Sequence, residues 1–143
     1  MSASRLAQVL LWIAAIYDGA LGLAFLVAGP ALFASFGVTP PNHWGYIHFP
    51  AALLVVFGLM FAAAAWRPAA NANLIPYGIL LKVAYCATVF GHWISAGLPW
   101  IWKPFAWFDL LWIFVLGWTW LVLRPGAVGA EGQPEHRRRL SHW

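Results

Sequence analysis

The sequence predicts an all-α integral membrane protein, a four-helix bundle, and three observations carry that prediction. Of its 143 residues, 63% belong to the hydrophobic set and only 8% are charged, a balance foreign to a water-soluble domain of this length. The apolar residues gather into four windows, each of about twenty residues, the length that crosses a hydrocarbon core. Eleven tryptophans and ten phenylalanines supply the rings that anchor helices at the two lipid–water boundaries.

The first window covers residues 6–28 and is closed by Gly29 and Pro30. Its basic start and small residues imitate a cleaved signal peptide, but the apolar run is too long and carries Asp18, so a retained helix is expected. The segment "ALFASFGV" that follows is too short to span and is expected to form an extra turn or two at the interface. The second window, 44–66, ends at Arg67 and Pro68; the third, 74–96, ends at Gly97 and Pro99; the fourth, 105–123, ends at Arg124, Pro125 and Gly126. Residues 1–126 thus hold the bundle. Residues 127–143, "AVGAEGQPEHRRRLSHW", read as a flexible basic cytoplasmic tail. Its Arg137, Arg138 and Arg139 suit anionic lipid, each worth about 1 kcal/mol near the surface. Cys86 is the single cysteine, so no intrachain disulfide can form.

The basic residues set the expected orientation. With both termini inside, Arg5, Arg67, Arg124 and the tail arginines face the cytoplasm, and Lys103 alone falls in the outer loops. The expected membrane is a bacterial inner membrane, and this orientation puts "GVTPPNHWGYIHFP" and "GLPWIWKPF" on its outer side. These two connections share a Gly and Pro rhythm that hints at a 2+2 repeat. In the first, Asn42 is the expected helix cap, and Pro50 deprives the Tyr46 carbonyl of its usual donor.

Polar residues inside the spans carry the functional expectation. A charged side chain at the bilayer centre costs about 2.5 to 3.5 kcal/mol, so Asp18 and Lys82 must turn inward and find partners. At about 1.5 Å per residue, Asp18, His48, His92 and Asp109 lie in the outer half of their helices. Lys82 lies somewhat deeper, and its long stem can bring it to Asp18. Lys82, Tyr85, Val89 and His92 recur as one stripe. The expected pocket opens outward and is built from Asp18, Tyr46, His48, Lys82, Tyr85, His92 and Asp109. Each member also has a plainer reading. Asp18 and Lys82 serve equally as a register-fixing ion pair, His92 as an interfacial residue, and Asp109 as a helix-start carboxylate. Tyr17, Tyr77 and Tyr85 serve as belt or packing residues.

The chemistry stays open at this stage. His48 and His92 are metal-ligating types at no recognised ligand spacing, a haem between them can be drawn, and a quinone is a further option, so no cofactor is assigned. Nucleophilic triads and phosphate loops are lacking from the sequence, and nucleic acid is excluded as a partner because the basic charge sits mostly in the tail. Three functions remain. The first is a pocket for a small lipophilic or ionic ligand, redox- or proton-linked. The second is a non-catalytic accessory subunit held by other membrane subunits or by copies of itself. The third is a membrane enzyme using an Asp/His acid–base pair, and enzyme is the less favoured class.

Length, the Gly-rich "YDGALGLAFL" helix, the outer loop before a glycine-containing second helix and the polar third helix together resemble the DoxX-like small four-helix bacterial membrane proteins. That resemblance implies a four-helix membrane fold and, as in some of that group, association with redox enzymes or quinone-linked electron transfer. It rests on layout, and no site residue is carried over from it.

Overall fold

The computed structural model describes residues 1–124. The tail assigned above to 127–143, with Arg137, Arg138 and Arg139, lies outside the described residues. Among the described residues every regular element is helical: α1 (Ala3–Ser35), α2 (Gly45–Trp66), α3 (Pro68–Asn71), a 3-10 turn (Ala72–Leu74), α4 (Ile75–Ser95) and α5 (Trp102–Leu123). α1, α2, the stretch Pro68–Ser95 and α5 are each long and apolar enough to cross a membrane, which makes four candidate spans. Apolar side chains such as Ile16, Val27, Leu59, Ile94 and Phe114 stand exposed around the bundle. In water such a surface would drive aggregation; in lipid it costs nothing.

α1 starts at Ser2, whose hydroxyl accepts from the Arg5 amide at 3.4 Å. The break expected at Gly29 and Pro30 is a kink instead. Pro30 has no amide hydrogen and its ring crowds the Leu26 carbonyl, so Ala28 leaves helical geometry (φ −120°, ψ 15°) and the helix resumes to Ser35. Residues 31–35 of the "ALFASFGV" segment therefore form the extra helical turn as the bent, continuous end of α1. It stops at Gly37, whose φ of +63° allows the amides of Gly37 and Val38 to bond the carbonyls of Ala34 and Phe33. α2 then starts without a bond from Asn42. The side chain that caps the turn is His43, whose Nδ1 accepts from the Gly45 amide at 3.1 Å.

α1 and α2 run antiparallel with their backbones nearly touching. A Cβ on Gly22 would stand 2.5 Å from the Ala51 carbonyl oxygen, and one on Gly58 would stand 2.8 Å from the Gly19 nitrogen. With no hydrophobic driving force between helices in lipid, this close approach supplies the van der Waals contact. α4 and α5 form the second antiparallel pair, and α1 joins the pairs through α5. The fourth side, between α2 and α4, is the loose one. It is closed near the α3 end, where the fully buried Phe61 ring lies against Gly78. Side chains also bond carbonyls in the last turn of α2 there: Gln8 donates to Ala65 O at 3.1 Å and Asn71 to Ala63 O at 2.9 Å.

Two apolar clusters result. One, around Leu11, Ala14, Phe61, Ile75 and Leu116, fills the end that carries Arg5, Arg67 and Arg124. The other, around Phe25, Phe33 and Ala51 with Trp44 and Trp102 against them, fills the end that carries the 36–44 connection.

Candidate functional site

Between these clusters lies a cavity of about 220 Å³ that draws residues from all four long helices. α1 supplies Tyr17, Asp18, Leu21 and Phe25, following the i, i+4, i+8 and i, i+3, i+7 spacings of an inward stripe. α2 supplies Ile47, Pro50, Ala51, Leu53 and Leu54; α4 supplies Leu81, Lys82 and Tyr85; Trp102, Phe105 and Asp109 come from α5. The wall is almost wholly apolar, and the polar atoms converge on one place.

That place is the Lys82 ammonium. Its Nζ donates to Asp18 Oδ1 at 2.5 Å and lies 3.1 Å from Asp109 Oδ1, so one cation on α4 bridges carboxylates on α1 and α5. All three residues are buried, with Asp18 at 0%, Lys82 at 1% and Asp109 at 5% exposure. The Tyr17 ring offers its face to the same ammonium, 4.9 Å from centroid to Nζ. The Asp109 contact is an ion pair without hydrogen-bond alignment, and Asp18 Oδ2 also accepts no bond. Trp112 Nε1, one turn below Asp109, is a third buried polar atom without a partner.

Two further bonds hold α4 against α5 beside the cluster. Tyr85 OH donates to the Trp102 carbonyl at 3.2 Å, and the Cys86 thiol donates to the Ala106 carbonyl at 3.3 Å. The tyrosine therefore presents its ring to the cavity with its hydroxyl committed to a helix-start carbonyl.

Of the seven residues the sequence placed in one pocket, Asp18, Lys82, Tyr85 and Asp109 share the cavity wall. Tyr46, His48 and His92 do not. Tyr46 is 68% exposed and meets the His43 ring edge-on. His48 stacks on Trp44 one turn earlier, with centroids 6.2 Å apart, and is held at the end of the bundle. His92 is exposed on the last turn of α4. At about 1.5 Å per residue, the ten residues from Lys82 carry it about 15 Å along the helix, to the end of α4. Of the connection that precedes and opens α2, Ile47 and Pro50 reach the cavity wall, and beside them the aromatic rings pack together. Phe33 meets Trp44 at 5.3 Å and Trp102 at 6.0 Å, and Phe25 stacks on Trp102 at 5.7 Å.

Among the described residues no group of three or more His, Cys, Asp or Glu side chains is placed to hold a metal, and His48 and His92 stand apart from the carboxylates. Among the lining residues that the sequence reading left out of the pocket are Tyr17, read as a belt or packing residue, and Trp102. Tyr17 sits next to Asp18 in a helix, so whichever face buries the aspartate leaves the tyrosine at its margin. No family model, curated protein or solved structure matches the chain.

Proposed function

We propose that this protein is a four-span inner-membrane protein that binds one small, largely apolar ligand within the bilayer. The observation that carries this reading is an apolar cavity whose polar groups are confined to a single buried cluster, Asp18–Lys82–Asp109. Such a site orients a ligand by one head group and leaves the rest to apolar contact. Intramembrane ionisable residues that face a cavity mark ligand or ion sites by default.

The loose seam between α2 and α4 supports entry from the lipid, past Leu54 and Leu81, since aromatic packing fills the end near the 36–44 connection. Arg5, Arg67 and Arg124 share the opposite end of the bundle, which supports a cytoplasmic placement for that end and an outer-leaflet level for the cavity. The layout shared with DoxX-like proteins supports the membrane setting; the head-group chemistry comes from the cluster.

Extraction of the protein in mild detergent, followed by mass spectrometry of the released small molecules, tests this reading. A stoichiometric lipophilic compound is expected with the natural sequence and its loss with Leu54→Trp, which fills the cavity. Identical, ligand-free spectra for both proteins refute binding.

One observation favours a second reading. α1 and α4 lie across the bundle from one another, and the Lys82–Asp18 bond is a strut between them, as expected of internal glue in an accessory subunit of a larger membrane assembly. Under that reading, Asp18→Asn lowers thermal stability and leaves every copurifying small molecule unchanged.

A further inference from the structure

The polar end of the cavity holds an imbalance of charge and of hydrogen bonds. With all three groups ionised, Lys82 offsets one of its two carboxylates, so the cluster retains one net negative charge amid apolar side chains. Asp18 Oδ2 and Asp109 Oδ1 are buried acceptors that receive no hydrogen bond. An unsatisfied buried acceptor is costly, and an uncompensated buried charge more so. Among the described residues the remaining titratable groups nearby are the phenols of Tyr17 and Tyr85 and the thiol of Cys86, none of them a cation, and α2 contributes only apolar side chains to the cavity wall.

A ligand that corrects both deficits must bring positive charge and hydrogen-bond donors together. A primary ammonium carries three donors on one charge; a quaternary head has the charge without the donors, and an alcohol the donor without the charge. The wall suits such a head. Tyr17 already holds one ammonium against its ring face, and Tyr85, Trp102 and Phe105 line the same space. A hard inorganic cation needs a shell of oxygens, where this wall offers carbon. Size sets the other limit. A cavity of roughly 150 Å³ takes up benzene, so 220 Å³ accommodates one ring with a short arm.

We infer that the cavity takes a small lipophilic primary ammonium, its –NH3⁺ group beside the Lys82 ammonium and against the unbonded Asp18 Oδ2 and Asp109 Oδ1, its apolar part against Phe25, Leu54, Leu81 and Trp102. This rests on the ligand-binding reading above and adds to it the sign and donor count of the head group.

The test uses the full chain in lipid nanodiscs and three probes that share one ring: cyclohexylmethylammonium, cyclohexylmethanol and cyclohexanecarboxylate, each at matched sodium chloride. Binding is read from tryptophan fluorescence, to which Trp102 contributes, and from the melting temperature. The ammonium is expected to bind about tenfold or more tighter than the alcohol, with the carboxylate weakest. In Asp109→Asn the advantage of the ammonium over the alcohol is expected to shrink to about threefold or less. Leu54→Trp is expected to abolish the signal from all three, which separates cavity binding from adsorption to lipid.

The ranking in the natural sequence needs no variant to fold. Equal affinities, or a tighter alcohol, overturn the head-group inference and leave the binding reading standing. An ammonium advantage that persists in Asp109→Asn overturns the assignment to this cluster. Absence of binding by every probe overturns both.

Discussion

Removing the Lys82 ammonium should destabilise the bundle more than removing the whole ionic cluster. At an effective dielectric of 20, unit charges at the two observed separations attract by about 7 and about 5 kcal/mol. Desolvation of three buried ions consumes most of that gross attraction, so the intact cluster contributes little net stability. Lys82→Met takes away the attraction and leaves two carboxylates facing each other without a cation. Breaking a buried pair in this way costs about 3 to 5 kcal/mol. The triple replacement Asp18→Leu, Lys82→Met, Asp109→Leu removes the desolvation cost as well and should return to within about 1 kcal/mol of the natural sequence or exceed it. Reversible unfolding in mixed detergent micelles, titrated with sodium dodecyl sulfate and followed by circular dichroism, gives both values. A Lys82→Met loss below about 1 kcal/mol, or a triple variant as unstable as the single one, refutes the electrostatic reasoning.

Three further perturbations probe separate parts of the fold. Gly58→Leu sets a side chain against the Gly19 and Ala15 backbone, which cannot move aside, and should cost about 1 to 3 kcal/mol in the same titration; a neutral result would show that α1 and α2 are not in close contact. Phe61→Ala empties a fully buried ring site at the α2–α4 closure and should cost about 3 to 5 kcal/mol, whereas a small loss would mean that the seam is open along its whole length. Cys86, buried with its thiol on the Ala106 carbonyl, should resist a membrane-permeant maleimide in the folded protein and react rapidly after denaturation; rapid labelling of the folded state would contradict the α4–α5 packing.

The sites differ in how far the sequence discloses them. Asp18 and Lys82 were legible as partners because lipid forbids either from standing alone, and each is the sole acid or lysine within its span. Asp109 was legible as buried but not as a second ligand of the same ammonium, since that depends on the angle at which α5 meets α4. His92 failed for a geometric reason: ten residues beyond Lys82, it stands about 15 Å further along the helix, in the last turn of α4. His48 failed because a neighbouring tryptophan, one turn away, claims its ring. Pro30 reads locally as a stop, yet packing of Phe33 between Trp44 and Trp102 rewards the helix for continuing beyond it.

By itself the sequence determined that there are four spans, which residues could not face lipid, and which end of the bundle collects the arginines. These follow from transfer free energies, which act on each segment separately. Only the tertiary structure decided that α2 and α4 part to leave a cavity, that one lysine serves two carboxylates, and that aromatic rings gather beside the cavity at the end of the 36–44 connection. Those outcomes depend on helix crossing geometry, where glycines let α1 and α2 approach closely and aromatic rings join α1 to the start of α5. No single segment carries that information.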